Sequence, residues 1–174
     1  SILTSKKNKN GTERIYEAYK KIKKKYDLII DIQGDEPLIN PIHIDNVIEF
    51  HKKNKSTDII LPHIKMKYGD NHNIVKLLTD IKDNVIYLSR TKLPLEFKQI
   101  NKSYKKHLSI ISFKPDALKK FHSSKRTPLE KSEDVELLRA LEIGLEIKTL
   151  PLRGDSFSID IFDDYKKAIE KFKI

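Results

Sequence analysis

Cysteine is absent from the 174 residues. That excludes disulfides, zinc–thiolate sites and cysteine nucleophiles together. Histidine is sparse: six residues, none in an HxxxH or HExxH pair, so a metal site built from histidine has no local support. Apolar runs stop after a few residues, as at Leu28-Ile29-Ile30, far short of the roughly 20 needed to cross a bilayer. A Gly-rich phosphate loop, a GxSxG elbow, a heptad seam, an internal repeat and a low-complexity block are all missing. What remains is 38% apolar and 34% charged, which at this length fits one globular domain spanning residues 1–174 with a real core.

The formal charge is +10, which raises the question of nucleic acid or an anionic membrane. Thirty of the 35 basic residues are Lys, however, and only five are Arg. Base-reading and phosphate-fork sites favour Arg. The Lys are spread along the whole chain, and the excess of Ile and Asn with little Ala is the pattern of AT-rich coding. The reading is a solvated basic surface, with neither nucleic acid nor membrane as partner.

Periodicity orders the elements. Ile15, Ala18, Tyr19, Ile22 and Tyr26 make one stripe and predict a helix from about Thr12 to Lys25. Leu28 to Ile32 is an aliphatic, β-branched run suited to a strand buried on both faces. Asn40-Pro41 is a cap and first-turn pair opening a helix with Ile44, Val47, Ile48 and His51 on one face. Asp58–Ile64 reads as a strand, and Asn73–Leu78 and Val85–Leu88 as a hairpin about Asp83-Asn84. Ser89–Tyr104 reads as mostly irregular. His107–Phe113 is a further strand, Pro115–Phe121 a short helix, and Ser132–Ile143 a helix stopped by Gly144. Ile147–Leu150 is a strand and Asp163–Phe172 the last helix. Strands alternating with helices predict an α/β fold with a mixed, mostly parallel sheet and helices on both faces.

In such sheets ligands sit beyond the carboxyl ends of the strands. Gln33-Gly34-Asp35-Glu36-Pro37 lies at one such end, so Asp35 is a carboxylate at the rim, where a hard cation with phosphate oxygens could be clamped. A plain turn is the alternative. Asp155, Asp160, Asp163 and Asp164 form a second acidic group, with magnesium binding by one of them or simple helix capping as the two readings. Gly11-Thr12-Glu13-Arg14 opens a helix, a natural anion site to which Arg14 could add a bidentate contact. His107 reads by default as a structural residue. Glu136, with Glu133 and Arg139 at i±3, reads as part of a solvated charge ladder.

Taken in order, seven stretches resemble the 3-deoxy-manno-octulosonate (Kdo) cytidylyltransferases. They are Gly11-Thr12-Glu13-Arg14-Ile15; Gln33-Gly34-Asp35-Glu36-Pro37; Asn73-Ile74-Val75-Lys76; Tyr87-Leu88-Ser89-Arg90 with Pro94; Lys106-His107-Leu108; Pro128-Leu129-Glu130 running into Glu136-Leu137-Leu138-Arg139; and Ser158-Ile159-Asp160. The resemblance implies a nucleotide-diphospho-sugar transferase fold and a C-terminal part of the enzyme, with a basic, glycine-containing loop for the CTP phosphates lying upstream. This stretch alone is then expected to be inactive. It implies a cytoplasmic, Mg2+-dependent homodimer that joins CTP to an acid sugar for lipopolysaccharide. Asp35 and Asp160 match the two metal carboxylates. Arg14, Gln33, His107 and Glu136 match residues around the sugar acid, and Arg90 matches an arginine of the family. Three departures stand out. Ile111 replaces a usual Tyr and Leu137 a usual Gln, and the ending Ser158-Ile159-Asp160-Ile161-Phe162-Asp163-Asp164-Tyr165 lacks the usual Thr and Pro. Lost polar contacts to a hydroxyl-rich sugar would cost about 1–3 kcal/mol each if buried, so the departures bear on which sugar is used.

Overall fold

The computed structural model describes residues 1–67, 71–98, 100, 103–154, 157–159 and 161–172. Local signals set the first elements. Asn10 caps α1 (Gly11–Ile22), its Oδ1 accepting the Glu13 N–H at 2.9 Å. The strand β1 (Ile29–Ile32) follows, and Asn40-Pro41 opens α2 (Pro41–Lys53) with the Asn40 side chain accepting the Ile42 N–H. The strand β2 (Ile59–Lys67) is the longest. Strands β3 (Lys76–Thr79) and β4 (Val85–Ser89) form the expected hairpin, with Asp83 in the left-handed region. Then come β5 (Ser103–His107), β6 (Ile110–Phe113), α3 (Pro115–Ser123), α4 (Pro128–Glu133), α5 (Leu137–Glu142), β7 (Ile147–Pro151) and α6 (Phe162–Phe172).

One sheet holds all seven described strands, in the order β1-β6-β2-β5-β3-β4, with β7 on the free edge of the first half of β2. The expectation of a mostly parallel sheet is wrong. Five of the six pairings are antiparallel, and only β2 with β7 is parallel. The crossover through α2 does leave β1 and β2 pointing the same way, but β6 lies between them and runs against both. Parallel neighbours need a crossover connection, whereas strands that return without one pair antiparallel.

The strand expected over His107–Phe113 starts only at Ile110, as β6; His107 instead ends β5, which begins at Ser103 inside the stretch expected to be irregular. His63 faces His107, while Ile60 faces Ser112, so three residues of β2 are spanned by five of the partner. The surplus falls at Leu108-Ser109, where Ser109 C=O accepts the Gln33 N–H at 3.1 Å and its hydroxyl donates to Glu36 at 2.9 Å. This irregularity turns His107 at the end of β5 toward the exit of β1.

Helices cover both faces, as expected. Ile59, Leu61, Ile111 and Phe113 point into the larger core with Leu118, Phe121 and Leu138, under α1, α3 and α5. Their strand neighbours Ile60 and Ile110 meet Val47 of α2 on the other side. Buried His51 and His63 are held by Ser112 Oγ and Thr149 Oγ1, each at 2.7 Å.

The single helix expected over Ser132–Ile143 is broken. Asp134 takes a left-handed conformation (φ 49°) and ends α4, and Glu136 becomes the N-cap of α5. The solvated charge ladder is overturned with it, because Arg139 is fully buried. Its guanidinium donates to both oxygens of buried Glu130, at 2.7 and 2.5 Å, and to Glu13 of α1 at 3.0 Å. Arg126 adds a bond to Glu130 at 3.1 Å, and the face of Arg139 stacks on Phe121. Such a pair is costly to desolvate, and its closely matched partners compensate for it.

Candidate functional site

The carboxyl end of β1, the N-terminus of α1, the β5–β6 irregularity and the N-terminus of α5 converge on one cleft of about 650 Å³. Six of the seven residues singled out from the sequence line it: Arg14, Gln33, Asp35, Arg90, His107 and Glu136. The seventh, Asp160, lies outside the described residues, as does Asp155.

Asp35 is exposed at the cleft mouth. It also lines an adjoining hollow of about 480 Å³ with Gln33, His107, Ser158 and Ile161. The Ile159 N–H donates to the Asp35 carbonyl at 2.8 Å, which fastens the segment leading to residue 160 against the turn. Of the late acids, Asp163 and Asp164 sit in the first turn of α6, and Asp164 accepts the Ile161 N–H at 3.4 Å.

Arg14 is exposed and steadied at one nitrogen by Thr4 Oγ1 (2.7 Å) and the Ser5 carbonyl (3.4 Å). Arg90 is tied differently. It donates to the backbone carbonyls of Glu133 (3.0 Å), Asp134 (3.1 Å) and His72 (3.2 Å), which locks the β4 exit onto the α4–α5 break. That makes it a wall of the cleft whose donors are largely taken by main chain. His107 has Nδ1 3.3 Å from the Leu108 carbonyl, and burial pushes its pKa down to about 4. It is therefore a neutral hydrogen-bonding ring at pH 7. Glu136 accepts the Thr12 N–H at 3.3 Å across the start of α1; burial raises its pKa, and that backbone bond opposes the rise. Ile111 and Leu137, the aliphatic departures, both line the cleft from the core.

Sequence reasoning missed one residue. Asp31 sits in the aliphatic β1, opposite Ile111, and only 3% of it is exposed. It lines the cleft, and its Oδ2 has no hydrogen-bond partner among the described residues. Burial, reinforced by the charges of Glu136 and Asp35, raises its pKa to about 7. The available signal was an acid inside an otherwise Ile-rich strand.

Among the described residues no helix is long and apolar enough to cross a membrane, and no three His, Asp or Glu form a metal-holding group.

Residues 1–147 match the family model for cytidylyltransferases. The 3-deoxy-manno-octulosonate cytidylyltransferase of Fusobacterium nucleatum is 39% identical, over 99% of this chain and 71% of that protein. The Rickettsia prowazekii protein of the same name is 36% identical, over 97% and 68%. The mitochondrial one of Arabidopsis thaliana is also 36% identical, but this chain spans only 59% of it. Among solved structures, a CMP:2-keto-3-deoxy-manno-octonic acid synthetase complexed with CTP superposes with a TM-score of 0.87 at 22% identity, over 99% of this chain and 73% of that one. A putative glucose-1-phosphate thymidylyltransferase from Bacillus anthracis gives 0.65 at 12% identity.

Proposed function

The chain belongs to the 3-deoxy-manno-octulosonate cytidylyltransferase family, and from that premise we propose that its cleft carries the sugar-binding half of a reaction joining CTP to Kdo. The anomeric hydroxyl oxygen of the sugar forms a bond to the α-phosphorus of CTP. The bond from that phosphorus to the bridging oxygen breaks, pyrophosphate leaves, and the hydroxyl proton passes to solvent. The observation that carries this reading is the convergence of Arg14, Gln33, Asp35, His107 and Glu136, far apart in sequence, on one cleft.

The charge pattern suits an acid sugar. Arg14, exposed at the start of α1, pairs with the sugar carboxylate, helped by the N-terminal dipole. Neutral His107 and the Gln33 amide hold hydroxyls without adding charge, and Glu136 accepts from another. Arg90 acts by holding the wall in place. These contacts fix the hydroxyl in line with the phosphorus, so catalysis is chiefly positioning and electrostatics.

A divalent cation fits the acids available. Magnesium takes one or two protein carboxylates and fills its other positions with water and phosphate oxygens. Asp35 is such a carboxylate at the mouth, and Ser158 and Ile161, on either side of residue 160, line the hollow that Asp35 shares. Asp35 and Asp160 would hold the ion. When bound, it would lower the pKa of the sugar hydroxyl and offset charge building on phosphorus. The reading extends to a cytoplasmic homodimer made for lipopolysaccharide. Exposed Leu95, Phe97 and Ile100 offer apolar surface for such an assembly, which light scattering would test.

Ile111 and Leu137 favour a second reading, in which the acid sugar is a different ulosonate. Incubating the full-length protein with CTP, Mg2+ and either Kdo or neuraminate, with mass detection of the CMP-sugar, separates the two. Product from Kdo supports the first reading, and product from neuraminate alone supports the second. No CMP-sugar from either substrate overturns both.

A further inference from the structure

Asp31 is a buried acid for which the proposed chemistry has no use. Its Oδ2 is enclosed and has no hydrogen-bond partner among the described residues, yet the residue lines the cleft. Burying an acceptor without a donor is unfavourable, so such an atom in a binding cleft points to a donor brought by the ligand. A second oxygen points to the same place. A Cβ built on Gly11 would stand 4.0 Å from Asp31 Oδ2 and 3.9 Å from Glu136 Oε1, so the two carboxylates flank one spot over the start of α1. Glycine at that position keeps the spot open. Beside them, Ile111, the cross-strand partner of Asp31, and Leu137, which follows Glu136, line the same cleft and offer a sugar no hydrogen bonds.

Resting on the sugar reading above, we propose that Asp31 is a specificity-determining residue whose carboxylate accepts a hydrogen bond from one hydroxyl of the bound acid sugar, beside Glu136. It would supply in this chain a polar contact that the aliphatic Ile111 and Leu137 do not.

The test uses the full-length protein, comparing wild type with Asp31→Asn and Gly11→Ala. The first variant is isosteric. The second adds a methyl that meets only ordinary van der Waals contacts, so neither should compromise folding. The expected result is a KM for Kdo raised tenfold or more in both variants, with the KM for CTP and the thermal midpoint unchanged or, for Asp31→Asn, the midpoint raised. A set of single-deoxy Kdo analogues identifies the hydroxyl. One analogue should bind wild type at least tenfold more weakly than Kdo does, yet bind Asp31→Asn no more weakly than Kdo does. An unchanged KM for Kdo in Asp31→Asn, or deoxy penalties identical in wild type and variant, would overturn the proposal while leaving the sugar reading intact. Failure of wild type to bind or turn over Kdo would instead overturn the sugar reading, and Asp31's role with it.

Discussion

Two acidic groups flank the first turn of α1, and they are handled in opposite ways. On one side Glu13 and Glu130 are matched by Arg139 and Arg126, and although burial alone would raise both carboxyls, the Arg139 guanidinium and backbone donors hold them below the usual range. On the other side Asp31 and Glu136 face the cleft; the Thr12 N–H donates to Glu136, Asp31 Oδ2 has no partner among the described residues, and burial raises both. Charges that satisfy one another belong to the scaffold, and acids left wanting a partner are available to a ligand.

The sharpest way to break this contrast is to remove the scaffold's cation. Arg139→Met takes both short guanidinium bonds from a Glu130 that is 1% exposed, leaving it only the half-exposed Arg126 as a cation, and should lower unfolding free energy by about 3 kcal/mol or more, read by urea denaturation. A loss under about 1 kcal/mol would mean the network is not structural. On the cleft side the effect should fall on activity instead. Asp35→Asn in the full-length enzyme should cut turnover by about 100-fold or more, with an unchanged urea midpoint, because the side chain is exposed. Wild-type turnover in that variant would remove the metal assignment.

Smaller effects appear as pH dependence. Asp31 has a folded pKa near 7, above its unfolded value of 3.8, so its burial is least costly below pH 3.8, and stability is lost as pH rises through 7. Asp31→Asn should thus be the more stable protein at pH 8, by about 1 kcal/mol or more, and the gain should vanish toward pH 4. A pH-independent difference would contradict the burial of that charge. Histidine gives the opposite slope. Burial lowers His63 from 6.5 to about 4, so its contribution is whole above 6.5 and is lost as pH falls toward 4. His63→Gln should flatten wild type's decline over that interval, as followed by thermal melts.

Much of the fold was legible because its signals are local. Asn10 and the Asn40-Pro41 pair cap their own helices, and Asp83 turns its own hairpin. The order and sense of the strands were not, since β6 inserts between β1 and β2 through pairings that no neighbouring residue encodes. Arg139 misled for a similar reason. Glu133, Glu136 and Arg139 at steps of three look like a surface ladder, whereas its guanidinium is held by Glu130, on the far side of the α4–α5 break, and by Glu13, 126 residues away. The cleft residues came from short motifs in a family's order, and six fall together here. Asp31 escaped because four aliphatic neighbours made its strand look like core and nothing else.

The long strand β2 has a consequence for how the chain is made. Its pairings lie with residues 103–107, 110–113 and 147–151, all downstream of it. On the ribosome, Ile59, Ile60 and Leu61 therefore emerge long before any of the strands that will cover them. Closing those long loops precedes the reward of pairing, which favours slow maturation and a lengthy interval of exposed backbone. A chaperone that shields extended aliphatic segments would find its natural target there, on the nascent polypeptide.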